Sequence, residues 1–191
     1  FILNTHHHYD HVGGNKKLKK KYDAKVIGYE KDKERIPEID ILVGDNEIWK
    51  SGNFEAKIIH VPGHTSGHIS FYFYKDMVVF TGDTLFSLGC GKIFEGTYSQ
   101  MFKSLNRFKQ IPLDTKVYCG HEYTLQNSKF CFKHDCNNQK LKEKIIEIKK
   151  KLINNLPTIP STIKEELECN IFLRSDNLET FSKLRDLKDN F

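Results

Sequence analysis

Up to His121, the chain alternates short apolar runs with turn-forming residues. Residues 1–3 have the composition expected at the end of a buried strand, and a polar stretch that begins near Asn15 has a helical pattern. Apolar runs of this length predict strands, whereas the amphipathic pattern at residues 99–110 predicts a helix. The predicted strands lie at residues 25–28, 41–43, 54–61, 69–74, 77–80 and 116–119.

Beyond residue 121 the hydrophobic pattern becomes helical. Pro157 and Pro160 interrupt the middle of this part, and Ser161-Thr162 followed by Glu165 has the spacing of a helix capping box. We therefore predict an α/β domain over residues 1–121 and a small α-helical domain over residues 122–191. The predicted helices lie at residues 122–133, 139–154, 161–168 and 178–190.

The composition is typical of a globular enzyme. Of the 191 residues, 38% are hydrophobic and 29% are charged, which allows one core with a smaller annex. The longest apolar run, at residues 69–74, is too short to cross a bilayer. The net charge is only +5, and no basic-aromatic pattern of a nucleic-acid-binding protein occurs. We expect neither a nucleic acid nor a membrane as partner, and the oligomeric state stays open.

The five cysteines form no Cys-x-x-Cys pair, and their odd number favours reduced thiols. This predicts a cytoplasmic location. A structural zinc site at Cys131, His134 and Cys136 is not expected, because a fourth ligand and the usual spacing are lacking.

The first candidate for chemistry is the run Thr5-His-His-His-Tyr-Asp-His11. In an extended segment alternate side chains share a face, so His6, His8 and Asp10 are expected to converge. A turn after Asp10 would let His11 approach from another direction. Imidazole together with carboxylate suits Zn, Fe or Mn better than Ca or Mg. The run therefore predicts part of a metal site.

Three further candidate ligands follow predicted strands. His64 lies in a turn-rich segment, Asp83 follows the strand at 77–80, and His121 follows the strand at 116–119. Ligands and reactive groups collect at strand ends in α/β folds. The candidates then number five histidines and two aspartates, enough for two metal ions. A lone histidine is more often structural, and only the whole set favours metal binding.

With these motifs, the chain resembles the metallo-β-lactamase superfamily and, within it, the hydroxyacylglutathione hydrolases. The superfamily motif is the run Thr5–His11, and the narrower resemblance rests on Gly-Cys-Gly-Lys92, on Cys-Gly-His121-Glu-Tyr-Thr and on Arg185-x-x-Lys188. The resemblance implies an αββα sandwich followed by a small helical domain. The family fold has additional strands before the first motif, so we expect residues 1–121 to be an N-terminally incomplete domain.

The resemblance also implies roles for the candidate ligands. His6, His8 and His64 would bind one metal ion, Asp10, His11 and His121 would bind the other, and Asp83 would bridge them. The expected cofactors are two divalent metal ions, with zinc as the first choice and iron or manganese as alternatives. Asp10 and Asp83 are accordingly the expected catalytic residues, while His7 and His68 are expected to support the ligands.

Chemically, such a centre favours hydrolysis. A metal ion lowers the pKa of bound water to roughly 7, so that hydroxide is available at neutral pH. A hydroxide bridging the metals would attack a thioester carbonyl, and the departing thiol, with a pKa of about 8.5, needs little help from an acid. The expected reaction is hydrolysis of S-D-lactoylglutathione and related 2-hydroxyacyl thioesters to glutathione and the free acid.

Glutathione carries two carboxylates, so a selective pocket needs cations away from the metals. Lys92, Arg185 and Lys188 are candidates by charge, and the resemblance adds Tyr123. The alternative for each of these cations is an ordinary surface charge that contacts only water. Phe94 departs from the family pattern, which often has a tyrosine there, so one hydroxyl contact is lost.

Three alternative functions stay open at this point. One is a persulfide dioxygenase-like enzyme of the same superfamily with a single iron, and another is a metallo-nuclease. The third is a non-enzymatic binding protein that retains an inert site.

Overall fold

Eleven strands and seven helices follow one another in the computed structural model, which describes residues 1–191. The strands are β1 (Ile2–Leu3), β2 (Val26–Tyr29), β3 (Ile39–Val43), β4 (Ile48–Ser51), β5 (Phe54–His60), β6 (Ile69–Phe73), β7 (Val78–Gly82), β8 (Leu85–Phe86), β9 (Gly89–Cys90), β10 (Lys116–Cys119) and β11 (Ser161–Thr162). The helices are α1 (Tyr9–Val12), α2 (Asn15–Tyr22), α3 (Tyr98–Phe108), α4 (Thr124–His134), α5 (Gln139–Ile153), α6 (Ile163–Cys169) and α7 (Leu178–Asp189).

Two sheets form the centre of the fold. The smaller is parallel, in the order β1-β2-β3, and the larger is mixed, in the order β11-β10-β7-β6-β5-β4. Strands β8 and β9 make a separate antiparallel hairpin. Because β7 and β10 are parallel neighbours, their carboxyl ends meet at the same edge of the larger sheet.

The core confirms the predicted αββα layering. Apolar side chains of the smaller sheet, including Ile27 and Val43, pack against Ile58 and Phe71 of the larger sheet. The outer face of the smaller sheet packs on α1 through Val12. The outer face of the larger sheet packs on helices α3 to α7 in a cluster of 21 buried residues. Burial of this apolar surface is the main force that holds the layers together.

The segment 122–191 is less independent than the sequence predicted. The helix expected to begin at residue 161 begins at Ile163, and Ser161–Thr162 instead pairs with β10 as an edge strand. The predicted capping box is confirmed, with Thr162 as N-cap and Glu165 as its partner. Because the 21-residue cluster includes both Val79 of β7 and Phe181 of α7, the two parts of the chain share one core.

Strand β1 lies at the edge of its sheet and pairs only with β2. Beside it opens an apolar groove of about 650 Å³, which is bordered by Phe1 and Leu3 and by Phe71, Phe73 and Phe80 of the larger sheet. Phe1 and Leu3 are exposed at this edge. None of the helices combines the length and apolarity that crossing a bilayer requires.

Candidate metal centre

The seven candidate ligands lie close together, and five of them are in loops that follow strands. His6 and His8 follow β1, His64 follows β5, Asp83 follows β7 and His121 follows β10. The remaining two, Asp10 and His11, lie on α1. Asp10 is not on an extended segment, as the alternation argument predicted, because residues 9–12 form a helical turn. That turn brings His11 to the same side as His6, with ring centroids 4.1 Å apart.

One cluster of ligand atoms consists of His6, His8 and His64. Their nearest nitrogens lie within 4.8 Å of one another. His64 Nε2 is 3.0 Å from His8 Nδ1. His6 and His64 are buried, so the cluster is open to solvent mainly at His8.

A second cluster consists of Asp10, His11 and His121. His121 Nε2 is 3.3 Å from His11 Nε2 and 3.2 Å from Asp10 Oδ2. Asp10 is exposed and the two histidines are half-buried. This cluster therefore faces the solvent-accessible side of the centre.

Asp83 lies between the two clusters. Its Oδ1 is 3.3 Å from His11 Nε2, and its Oδ2 is 3.4 Å from His121 Nε2 and 3.6 Å from His64 Nε2. Asp83 is 6% exposed, so its carboxylate is held inside the protein. The position is the one that a ligand shared by two ions would occupy.

The donor set and its spacing fit divalent ions. A tetrahedral ion with bonds of about 2.0–2.1 Å separates its ligand atoms by roughly 3.3 Å, close to the separations found here. Two atoms of the centre, His6 Nε2 and Asp83 Oδ1, are buried without a hydrogen-bond partner. Buried polar atoms are normally paired, and bound metal would satisfy both.

Hydrogen bonds fix the tautomers that metal binding needs. His64 Nδ1 lies 2.8 Å from the carbonyl oxygen of Lys92. Since a carbonyl only accepts, His64 Nδ1 carries the proton and Nε2 keeps its lone pair for the centre. The Nδ1 atom of His6 lies 3.1 Å from Thr5 Oγ1, which leaves its Nε2 directed inward.

Burial favours the neutral form of three candidate ligands, namely His6, His8 and His64. Burial lowers the pKa of His6, and the neighbouring histidines lower it further. Burial also lowers the pKa of His64. His11 differs, because burial lowers its pKa but the neighbouring carboxylate of Asp83 outweighs that effect and raises it. Neutral imidazoles are the form that binds metal.

His68 supports two of the candidate ligands. The backbone N–H of Asp83 donates to His68 Nε2 at 3.0 Å, and His68 Nδ1 lies 3.2 Å from Thr84 Oγ1. The ring stacks on His6 with centroids 4.7 Å apart. His7 takes another supporting position, 3.4 Å from the buried carboxylate of Asp32.

Sequence reasoning missed the glycines that close the centre. A Cβ on Gly120 would lie 2.3 Å from Asp83 Oδ1, and a Cβ on Gly91 would lie 1.8 Å from the backbone oxygen of Asp83. Both positions exclude any side chain. Gly91 lies in the motif Gly-Cys-Gly-Lys92, and Gly120 lies in the motif Cys-Gly-His121-Glu-Tyr-Thr. These two motifs were the sequence signal that could have identified the glycines.

Two of the four predicted substrate contacts flank the ligands and are exposed. Tyr123 stacks on the ring of His121, with centroids 5.0 Å apart. Lys92 follows the glycine that packs against Asp83, and its ammonium lies 5.8 Å from the ring of Phe94. Phe94 in turn packs edge-on against His8 and His64. Lys92, Phe94 and Tyr123 therefore surround the centre on its exposed side.

The other two predicted contacts lie deeper, on α7. Arg185 is 3% exposed, its Nη1 donates to the carbonyl oxygen of Cys90 at 2.9 Å, and its Nη2 pairs with Asp189 at 2.7 Å. Lys188 is half-buried against Phe130 and Phe191. The alternative of a solvated surface charge does not apply to Arg185, because its guanidinium is buried and bonded to groups of the protein.

Two family models cover the chain. The metallo-beta-lactamase superfamily model matches residues 1–121, and the model of the hydroxyacylglutathione hydrolase C-terminus matches residues 122–191.

Individual proteins agree with these matches. A hydroxyacylglutathione hydrolase of Pelagibacter ubique (strain HTCC1062) is 74% identical over 191 residues, which are 100% of this chain and 80% of the relative. The BLEG-1 B3 metallo-beta-lactamase superposes with a TM-score of 0.67 at 22% identity, over 91% of this chain and 76% of that one. TTHA1623, solved in a di-iron-bound form, gives a TM-score of 0.52 at 29% identity, over 62% of this chain and 68% of that one.

Proposed function

Since the chain belongs to the metallo-beta-lactamase superfamily and, within it, to the hydroxyacylglutathione hydrolases, we propose that it hydrolyses S-D-lactoylglutathione and related 2-hydroxyacyl glutathione thioesters. The products are glutathione and the free 2-hydroxy acid. The observation that carries the proposal is the convergence of six candidate ligand side chains, in two clusters, around the carboxylate of Asp83.

In this proposal His6, His8 and His64 hold one divalent ion, and Asp10, His11 and His121 hold the other. Asp83 reaches both, and its charge and that of Asp10 offset part of the charge of the ions. When bound, the two ions supply a nucleophilic hydroxide at neutral pH and polarise the thioester carbonyl. The buried side of the centre excludes water, while the side at Asp10 admits substrate.

The protein groups beside the centre would hold the glutathione half of the substrate. Lys92 offers a cation to a carboxylate, and Tyr123 offers a hydroxyl and an aromatic face. Lys188 adds a second cation next to Arg185. Arg185 would contact the glutathione half of the substrate with its guanidinium held in place, since it bonds to the carbonyl oxygen of Cys90 and to Asp189.

The donor set accepts more than one metal. Imidazole and carboxylate bind Zn, Fe and Mn, and geometry alone does not select among them. We propose two zinc ions, and the di-iron-bound form of TTHA1623 supports iron as the alternative. The five free thiols support a reducing, cytoplasmic location.

The alternative functions lose support. The model that matches residues 122–191 is that of the hydroxyacylglutathione hydrolase C-terminus, and the 74% identical relative carries the same activity in its name. Neither match favours a mononuclear iron dioxygenase, a nuclease or an inert binding protein.

Elemental analysis combined with a thiol-release assay tests the proposal. We expect the purified protein to hold two metal ions per chain and to release thiol from S-D-lactoylglutathione. Chelation should abolish the release, and added zinc should restore it. A protein with two ions that leaves this thioester intact would disprove the substrate, and a protein that binds no metal would disprove the mechanism.

Alanine substitutions of Lys92 and Arg185 should distinguish an effect on substrate binding from an effect on stability. Lys92→Ala should raise KM by roughly 10-fold with little change in kcat, because it removes a charge-assisted contact away from the reacting carbon. Arg185→Ala should raise KM and also lower the melting temperature, because it leaves the carbonyl of Cys90 without its buried donor. Steady-state kinetics and thermal unfolding measure the two effects.

Lys57→Ala, at an exposed position of β5, is the matched control and should leave both quantities unchanged. A loss of kcat alone in Lys92→Ala would contradict the binding role.

A further inference from the structure

The hairpin β8–β9 connects the metal centre to the helical segment 122–191. Its turn, Ser87-Leu88, is buried, and Leu88 has a left-handed backbone with φ of 58°. A leucine in this conformation is strained and persists only where its surroundings hold it.

Glu166 and Asn170 of the helical segment hold this turn. Glu166 Oε2 accepts the backbone N–H of Leu88 at 2.9 Å. Asn170 Nδ2 donates to the carbonyl oxygen of Gly89 at 2.9 Å and to Glu166 Oε2 at 2.9 Å. Glu166 and Asn170 are both 0% exposed, so water does not compete for these bonds.

Three more side chains of the helical segment complete the contact. Asn127 Nδ2 donates to the carbonyl oxygen of Ser87, Cys131 Sγ to that of Leu88 and Arg185 Nη1 to that of Cys90. With the contacts of Asn170 to Phe86 and Gly89, each backbone carbonyl from residue 86 to residue 90 faces a donor from residues 122–191.

Both legs of the hairpin end in the metal centre. The first leg begins just after Asp83, and the second leads to Lys92, whose carbonyl oxygen accepts from His64 Nδ1 at 2.8 Å. The legs are locked together, because the N–H of Gly91 donates to the carbonyl of Thr84 at 3.2 Å. A Cβ on Gly91 would overlap the backbone oxygen of Asp83. A shift of the hairpin therefore moves Asp83 and rotates His64.

We propose that Glu166 and Asn170 are positioning residues for the metal pair: they fix the hairpin, and the hairpin fixes Asp83 and the ring of His64. The helical segment then shapes the metal centre as well as binding substrate. This inference rests on the metal pair of the proposed function.

Glu166→Leu and Asn170→Asp test it. Leucine removes the acceptor for Leu88. Aspartate keeps the oxygen that accepts from Phe172 at 3.0 Å, but it loses the donor to the hairpin and to Glu166 and places a second carboxylate beside Glu166. Each variant should bind zinc roughly 10-fold more weakly in competition with a chromophoric chelator, as is usual for groups that orient ligands. The value of kcat should fall at limiting zinc and recover in excess zinc.

Two controls distinguish positioning from general stability. Glu166→Gln keeps an oxygen for Leu88 and Asn170, so it should retain near-normal zinc affinity. Lys144→Met removes a buried ammonium that pairs with Glu147 on its own helix α5 and with Glu165 on α6, and it does not touch the hairpin. It should lower the melting temperature and leave zinc affinity unchanged.

The outcomes distinguish a failure of the proposed function from a failure of the positioning role. Wild-type protein that binds no zinc would defeat the proposed function. Zinc bound equally tightly by the wild type, Glu166→Leu and Asn170→Asp would defeat the positioning inference alone. Weakening of zinc affinity in Lys144→Met to the same degree would also overturn it, since the loss would then follow stability.

Discussion

Asp83→Asn is expected to reduce bound metal from two ions per chain toward one and to lower turnover on the order of 10³-fold, which corresponds to the several kcal/mol that metal ions contribute to hydrolysis. Both carboxylate oxygens face candidate ligand nitrogens, Oδ1 toward His11 and Oδ2 toward His121 and His64. An amide keeps one oxygen, turns an N–H group toward the centre and removes a compensating negative charge. Metal content and rate should therefore fall together.

Metal analysis after dialysis and the thiol-release assay measure this result. Asp114→Asn, at an exposed turn position, removes the same charge elsewhere and should leave both quantities unchanged. Two ions retained by Asp83→Asn would exclude a bridging role for Asp83.

Gly120→Ala is expected to weaken metal binding by roughly 10- to 100-fold without changing a single ligand. The added Cβ would lie 2.3 Å from Asp83 Oδ1 and 2.9 Å from His11 Cε1. The backbone of Gly120 cannot retreat easily, because its N–H donates to the carbonyl of Gly82 at 2.9 Å beside the paired strands β7 and β10. The methyl group must displace the two ligands instead.

Zinc affinity and kcat at saturating substrate check this prediction. Gly44→Ala is the matched control, since the nearest atom to its Cβ would be 3.7 Å away. Normal zinc affinity in Gly120→Ala would show that Asp83 and His11 are free to move, against the rigid centre described above.

The candidate ligands could be predicted from the sequence because each follows a short apolar strand or a compact motif. Asp83 and His121 are 38 residues apart in the chain and still meet, since β7 and β10 are parallel and adjacent. Parallel strands place their carboxyl ends together, and this rule required no knowledge of side-chain packing. The strand at 116–119 was predicted with its observed bounds.

The hairpin and the burial of Arg185 could not be predicted. Strands β8 and β9 have two residues each, too few to show a periodicity. Helix α1 has only four residues, too few to show a helical pattern, so the sequence did not indicate that Asp10 lies on a helical turn. Arg185 resembled a surface cation, because its partner, the backbone oxygen of Cys90, is 95 residues away and leaves no trace in local sequence.

The contacts between the helical segment 122–191 and the hairpin β8–β9 join residues far apart in the sequence, and this determines when the metal centre can be completed during synthesis. Glu166 and Arg185 stand 78 and 95 residues beyond the backbone groups they bind, so a nascent chain displays all the histidines and aspartates of the centre before these anchors leave the ribosome. Contacts so distant in sequence form late in folding. Tight binding of the metal ions should therefore be completed only after α7 has docked on the hairpin.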